Sequence, residues 1–482
     1  MAQTFFFYDL ETSGVNPRTS RIMQFAGQRT YMDLKPIGDP VNVLIKLTPD
    51  VVPEPDAIMI TGITPQQTLQ DGMTEAEFLK FFFEEICLSG TVFLGFNTMR
   101  FDDEFMRYTL YRNFYDPYEW QWKDDCSRWD LLDVVRMTRA LRPEGIKWPF
   151  DTSGKPTNRL ELLADLNGFD HKRAHDALSD VEVSIDLARL LKTKQPKLFE
   201  YLFNLRDKKA VAELVNAGRP FVYSSGKYSS KYEKTTVAVR VTDHPKRQGA
   251  LLYDLRYDPK QYDKLSATEL VELWKWKKDP DAPRLPVKTM RFNCCPAVAP
   301  LGVLDAPSQE RLGIDLDVIR KHHAALKGMT GFKDRLLEAL EIMDSQQQTS
   351  FLTDTRDVDG QLYDGFLSDE DRNLEQAFRA ADPSEFSTIA MGFKDERLQA
   401  LAPLYKARNY PETLTPDERK LWDRHCHDRL LGGGEKSALA RYFARLGQLA
   451  ESPGLTSEQG YLLEELQIYG QSILPADAEF GA

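Results

Sequence analysis

Five side chains in the first 180 residues have the types and spacing to do hydrolytic chemistry with metal ions. In "FFFYDLETSG" (residues 5–14) an apolar run acquires Asp9 and Glu11 just as it ends. Side chains alternate across a strand, so residues two apart share a face. Two carboxylates held that close repel, and burying either is costly unless a cation lies between them. Hard divalent ions such as Mg²⁺ and Mn²⁺ take oxygen ligands of this kind. "GFNTMRFDDE" (95–104) puts Asp102 at a helix start, right after the apolar run "TVFLGF". "AHDALSD" (174–180) sets His175 five residues before Asp180, near the start of a long helical pattern.

Four carboxylates at element ends can hold two divalent ions about 3.5–4 Å apart, with a scissile phosphate bridging them. One ion lowers the pKa of a bound water and the other stabilises the leaving 3′ oxygen. A neutral imidazole, with an ordinary pKa of about 6.5, can take the proton of that water. Each piece has a plainer reading by itself. Asp9 and Glu11 fit a solvated strand end, and Asp102 and Asp103 fit a helix start where acids favour the dipole. His175 fits a hydrogen-bonded helix residue, and Asp180 a solvated helix face. Their joint occurrence, in this order, points to phosphodiester hydrolysis.

The elements that must position these groups read as α/β. Apolar, β-rich runs fall at 4–10, 21–31, 41–47 and 91–96. Helical periodicity appears at 74–87, 101–114, 129–141, 159–167 and 174–205, with Thr74 and Glu77 forming a capping box. The acids then stand at the C-terminal end of the first strand, where open α/β sheets commonly place their sites. Beyond about 205 the texture changes. Short β-like runs ("TTVAVRV", "GALLYDL", "PVKTMRF") over 219–305 predict a small antiparallel β domain, and from about 308 helical patterns dominate.

A chain of 482 residues has room for two to four domains and an ample core. Its 42% apolar and 28% charged content is that of a soluble globular protein. A net charge of −12 argues against a general nucleic-acid coat, yet leaves room for an enzyme with a local basic groove. Five cysteines, no bilayer-spanning apolar run and no export signal predict a cytoplasmic protein with reduced thiols and no membrane partner.

"D-L-E" (9–11), "N-T-M-R-F-D" (97–102) and "H-D-A-L-S-D" (175–180) resemble the three exonuclease motifs of DnaQ-like 3′→5′ exonucleases, in the branch with an H-x-x-x-x-D third motif. "ITGITP" (60–65), "RNFYDPY" (112–118), "RWDLLD" (128–133), "ALRPEGIKWP" (140–149), "QLYDGFLSDED" (361–371) and "YKARNYPETL" (405–414) extend the likeness to bacterial exodeoxyribonucleases of type I, from end to end. The resemblance implies that Asp9, Glu11, Asp102 and Asp180 bind two Mg²⁺, with Mn²⁺ as a possible substitute, and that His175 is the general base. Asp102 is preferred to Asp103 because it directly follows Phe101. The implied fold is a ribonuclease H-like α/β exonuclease domain (1–197), an SH3-like β-barrel domain (198–349) and a helical C-terminal domain (350–482). Together they would form a C-shaped clamp for processive 3′→5′ digestion of single-stranded DNA to 5′-mononucleotides by a monomer, in DNA repair and recombination.

Single-strand binders combine cations for the backbone with aromatic platforms for bases. "YRNFYDPYEWQWKDDCSRW" (111–129) holds seven aromatics in nineteen residues, several of them expected in the core. Tyr118 and Trp122 are the stacking candidates, Arg107 and Arg136 the phosphate contacts, and Arg159 a holder of a phosphate near the 3′ end. Glu11 also meets the substrate in this scheme. "SSGKYSSKYEK" (224–234) reads equally as a DNA contact or a solvated hairpin, with Lys208 and Lys209 as weaker candidates. "RHCHDR" (424–429) reads as a helix surface, because adjacent helical residues diverge, and "NCCP" (293–296) as structural. The resemblance further implies a site for the acidic C-terminal tail of single-stranded-DNA-binding protein, to which Arg142, Tyr201, Arg219 and Arg311 would contribute. The motifs leave open an exoribonuclease of the same superfamily, or a non-catalytic adaptor that binds strand ends.

Overall fold

The first strand, buried on both faces, organises everything around it. In the computed structural model, which describes residues 3–170, 176–275, 277–279, 282–352 and 357–474, strand β1 spans Thr4–Thr12. Phe5 and Phe7 enter one core with Trp129, Val181 and Leu187. Phe6, Tyr8 and Leu10 enter the other with Phe25, Phe78, Phe93 and Trp120. Asp9 and Glu11 continue the Phe5–Phe7 face beyond the point where apolar cover ends.

Four more strands complete the sheet: β2 (Ile22–Thr30), β3 (Val41–Leu44), β4 (Thr91–Gly95) and β5 (Ser127–Asp130). The order is β3-β2-β1-β4-β5, with β1 antiparallel to β2 and parallel to β4. β1 to β4 match the expected runs. β5 corrects a reading, since "RWD" is strand where the periodicity suggested a helix from 129. Parallel pairing of Val92–Gly95 with Ser127–Asp130 overrides the local pattern. The helix begins at Leu131, with the Asp130 side chain accepting from Leu132 N at 2.8 Å. The Thr74–Glu77 capping box is present, but regular α geometry stops at Phe81 and Phe82–Ile86 wind as a π-turn. The long pattern 174–205 is two helices, Ala177–Lys194 and Pro196–Asn204, broken before Pro196.

A second sheet holds β6 (Phe221–Ser224), β7 (Thr235–Asp243), β8 (Gly249–Asp254), β9 (Val287–Arg291) and β10 (Ala297–Pro300). Its order is β10-β6-β7-β8-β9 and every pairing is antiparallel, as expected for a small β domain. The helix Ala267–Trp274, entered through a Ser266–Glu269 capping box, interrupts the expected run of β structure. Helices then dominate: Leu316–Gly328, Phe332–Leu352, Asp369–Ala380, Glu396–Asn409, Pro416–Leu431, Ala438–Ala450 and Ser457–Ser472. No helix among the described residues is long and apolar enough to cross a membrane.

The C-terminal helices join the first sheet through a buried ionic cluster. Asp50 and Asp359 are fully buried, and Arg408 bridges them at 2.7 and 2.8 Å. Arg21 reaches Asp359 at 2.5 Å, and Arg429 at 2.7 Å. His425, in the stretch read as a helix surface, turns inward to lie 3.6 Å from Asp50, while His427 is half-exposed. Burial pushes both carboxyls up, but Arg408, with Arg429 and Arg21, outweighs it and holds them well below the ordinary range.

A carboxyl whose pKa is depressed on folding contributes stability above its unfolded value, near 3.9, and loses it as pH falls through the folded value. Thermal unfolding followed against pH is therefore expected to show steep acid destabilisation below about pH 4. Asp359→Asn, which strands buried guanidinium groups, is expected to cost about 3–5 kcal/mol in denaturant unfolding and to flatten that acid limb.

Candidate active site

Asp9, Glu11 and Asp180 each present a carboxylate oxygen, all within 4.8 Å of one another. Two come from the tip of β1 and the third from the first turn of the Ala177–Lys194 helix. Asp102 is buried beside them at the start of the helix Asp102–Arg112, where it accepts from Leu10 N at 3.1 Å. That bond fixes the acid to the strand between Asp9 and Glu11. Asp103 points elsewhere. It accepts from the Tyr8 hydroxyl at 2.5 Å and pairs with Arg128, so Asp102 is the one of the two that faces the cluster.

The electrostatics of the cluster are those of a site short of positive charge. Burial, then the charges of Asp102 and Asp180, raise the Asp9 carboxyl well above its ordinary value. Burial, with Asp9, Asp180 and Asp176, pushes Glu11 up to about 9. Burial drives Asp102 up as well, against a backbone hydrogen bond that lowers it, with Asp103, Asp130 and Glu11 adding to the rise. None of the principal causes of these three shifts is a neighbouring cation. A hard divalent ion with oxygen preference supplies what is missing, so the donor set fits such a metal.

Several residues that the sequence reading passed over hold this geometry. Asp130 accepts from Asn97 N at 3.1 Å and Met99 N at 3.2 Å, fastening the turn that leads to Asp102. Asn97 itself takes φ +72° to make that turn. Gln24 pairs with Glu11 across β1 and β2, and its Oε1 accepts from Ala177 N at 3.3 Å, so it ties the Asp180 helix to the strand tip. Asp176 caps that helix, accepting from Leu178 N at 3.2 Å. Asp176 and Asp130 were findable as acids near the start of helical patterns. Gln24 was not, because only the sheet register puts it opposite Glu11. His175 lies outside the described residues.

The expected nucleic-acid contacts separate into exposed and engaged groups. Trp122 is 64% exposed and Tyr118 37%, whereas Trp120 and Trp129 are core, as expected of part of that stretch. Arg107 pairs with Glu104, donates to Gln121 Oε1 at 3.1 Å and lies 5.4 Å over the Tyr118 ring. Arg136 is held by Asp133 at 2.6 Å, next to Gly226 of the second sheet's turn. Arg159 is exposed at the entry to the helix Leu160–Asn167 and pairs with Glu161 at 2.6 Å. In 224–234 Tyr228 is buried against Tyr223, and Tyr232 lies under Arg256 at 3.7 Å, which is a packed hairpin. Lys208 donates to Gln248 Oε1 at 3.2 Å, and Lys209 is exposed.

Arg142 and Arg311 converge on the last turn of the helix Leu131–Leu141. Arg311 donates to Ala140 O at 2.9 Å, and Arg142 to Leu141 O at 2.5 Å and Val303 O at 3.0 Å. Tyr201 is half-buried with no hydrogen-bond partner for its hydroxyl among the described residues, and Arg219 is exposed just before β6. Cys295, in "NCCP", donates to Arg128 O at 3.2 Å, and all five cysteines are free thiols.

A five-stranded mixed sheet in the order 3-2-1-4-5, with carboxylates gathered at the tip of its first strand, defines a ribonuclease H-like exonuclease. The sequence matches the Exonuclease family over residues 6–188, the Exonuclease I SH3-like domain over 206–341 and the Exonuclease I C-terminal domain over 356–473. Exodeoxyribonuclease I of Haemophilus influenzae is 38% identical over 98% of this chain and 99% of its own length. Exonuclease I from Methylocaldum szegediense shares 41% identity and superposes with a TM-score of 0.89, covering 98% of this chain and 100% of that one. Escherichia coli Exonuclease I in complex with a dA16 oligonucleotide superposes with a TM-score of 0.91 at 35% identity, over 98% and 100% of the two chains. A zinc-bound complex of the E. coli enzyme with single-stranded DNA (35%, TM-score 0.90) and an SSB/Exonuclease I structure with an inhibitor (35%, TM-score 0.88) are similar too, each covering 98% of this chain and 100% of the other. The chain belongs to the exodeoxyribonuclease I family and is an exonuclease.

The raised Glu11 pKa has a measurable consequence. A carboxyl that binds its proton more tightly when folded contributes stability below its unfolded pKa, near 4.3, and loses it as pH rises towards about 9. Metal-free protein is therefore expected to lose stability between about pH 5 and 9, by at most about 1.4 kcal/mol per pH unit from this group. Saturating divalent cation is expected to flatten that slope, as read by thermal unfolding with chelator and with metal.

Proposed function

We propose that this protein is a Mg²⁺-dependent, processive 3′→5′ exonuclease on single-stranded DNA that releases 5′-mononucleotides, acting in the cytoplasm as a monomer in DNA repair and recombination. The observation that carries the reading is the convergence of Asp9, Glu11 and Asp180 within 4.8 Å, with Asp102 buried behind them. Bound there, a pair of divalent ions would supply the activated water and the stabilisation of the leaving oxygen. Asp9, Glu11, Asp102 and Asp180 hold them, and His175 accepts the proton of the water. Arg159 binds a phosphate at the 3′ end, while Tyr118 and Trp122 offer ring faces to the bases. Arg107 and Arg136 are assigned to phosphate contacts on flanking helices. The working units are residues 1–197, 198–349 and 350–482, for exonuclease, SH3-like and helical domains.

Relatives observed with single-stranded DNA support that substrate, and the one observed with SSB supports the second partner. The acidic tail of single-stranded-DNA-binding protein is assigned to Arg142, Arg219 and Arg311, with Tyr201 as a further contributor.

Single-stranded DNA labelled at either end decides the main point. The 3′ label is expected to be released first as a mononucleotide, only with Mg²⁺ or Mn²⁺, and matched RNA is expected to survive longer. Early loss of the 5′ label, or hydrolysis in chelator, overturns the reading. His175→Ala is expected to lower turnover on the order of 10²–10⁴-fold and to remove its rise with pH. Trp122→Ala is expected to weaken oligonucleotide binding by about 1–3 kcal/mol in fluorescence titration, with turnover at saturation kept.

A further inference from the structure

The strand pairing next to the acid cluster is irregular at one place. Glu11 pairs with Gln24, but the next residue, Thr12, pairs with Ile22, so Met23 is an extra residue on β2. A bulge bends its strand and re-aims the side chains beside it. This one adjoins the pair that contains Glu11, and it adjoins Gln24, which holds the Asp180 helix.

The C-terminal region grips the bulged residue and the residue two before it. Met23 is 1% exposed and packs with Leu439, Tyr442, Leu446 and Leu466. Arg21, two residues earlier, is buried, with its guanidinium held by Asp359 at 2.5 Å. The Arg21 backbone closes the turn that leaves β1: its N–H donates to Ser13 Oγ at 2.8 Å, and its carbonyl accepts from Ser13 N at 2.9 Å. The residues that dock the C-terminal region therefore immediately precede Gln24, the residue across from Glu11. Carboxylates that repel one another need such a restraint, because a metal site tolerates only about 0.5 Å of misplacement.

We propose that Met23 and Arg21 are positioning residues through which the C-terminal helices set the aim of Glu11, making their docking a structural component of the metal site. Neither residue touches a reacting atom. The inference rests on the metal reading of the acid cluster given above.

The test uses the full chain and reads Mn²⁺ affinity by titration calorimetry, together with kcat and KM on a single-stranded oligonucleotide. Met23→Ala and Arg21→Lys are expected to weaken Mn²⁺ binding by about tenfold and to lower kcat with KM unchanged, and Met23→Leu to restore both within about twofold. Arg445→Ala removes an exposed ion pair with Asp56 (2.6 and 2.8 Å) that joins the same two parts without touching the bulge, and is expected to leave both quantities unchanged. Unaltered Mn²⁺ affinity and kcat in Met23→Ala, with only a lower Tm, overturns the proposal. Where Met23→Ala fails to fold, the same result in Arg21→Lys overturns it. Failure of the unsubstituted protein to bind Mn²⁺ overturns the metal reading itself, and is seen before any variant is made.

Discussion

The mutual repulsion of a few carboxylates, one buried and three half-buried, is the constraint around which this molecule is built. Asp9, Glu11, Asp102 and Asp180 come from three separate elements, and each raises the proton affinity of at least one neighbour. Left to themselves they would separate or protonate. The fold prevents the first by seating two of them on a strand buried on both faces and fastening the other two to it. Asp102 is held through Leu10 N and Asp180 through the Gln24 contact with its helix. What remains is an unmet demand for positive charge, which is what a divalent cation answers.

Charge is handled in the opposite way where the C-terminal helices dock. Asp50 and Asp359 are as buried as any acid in the site, yet guanidinium groups on several sides hold them ionised. A buried carboxylate ringed by arginine is a structural fastening, whereas carboxylates gathered among carboxylates leave a demand for charge that a divalent cation fits. The two clusters are linked in the chain, since Arg21 belongs to the first and stands beside the turn that follows Glu11. Assembly of the parts and geometry of the site are thus adjacent problems.

The surface around the site shows the same economy. Of the aromatics in 111–129, Trp120 and Trp129 fill cores, while Trp122 and Tyr118 reach solvent. Arg107 is held by Glu104 and Gln121 over the Tyr118 ring, an arrangement that orients the ring as well as the charge. The tyrosines of 224–234 pack inward, so that stretch offers its lysines and little ring surface.

What the sequence determined by itself was the inventory and the order. Apolar runs of period two, capping boxes and helix periodicity located four of the five strands of the first sheet and most of the helices, because those signals are local. The acids stood out because charge at the end of an apolar strand is locally anomalous, and three motifs in order supplied the chemistry. The tertiary structure decided what depends on partners distant in the chain. β5 is a strand because β4 lies beside it, and Asp102 faces the site because Asp103 is claimed by Tyr8 and Arg128. His425 turns inward because Asp50 is there, and Gln24 and Met23 matter through a register that no local pattern encodes. Local propensity is written in neighbouring residues, whereas the direction a side chain faces is set by whatever the folded chain brings against it.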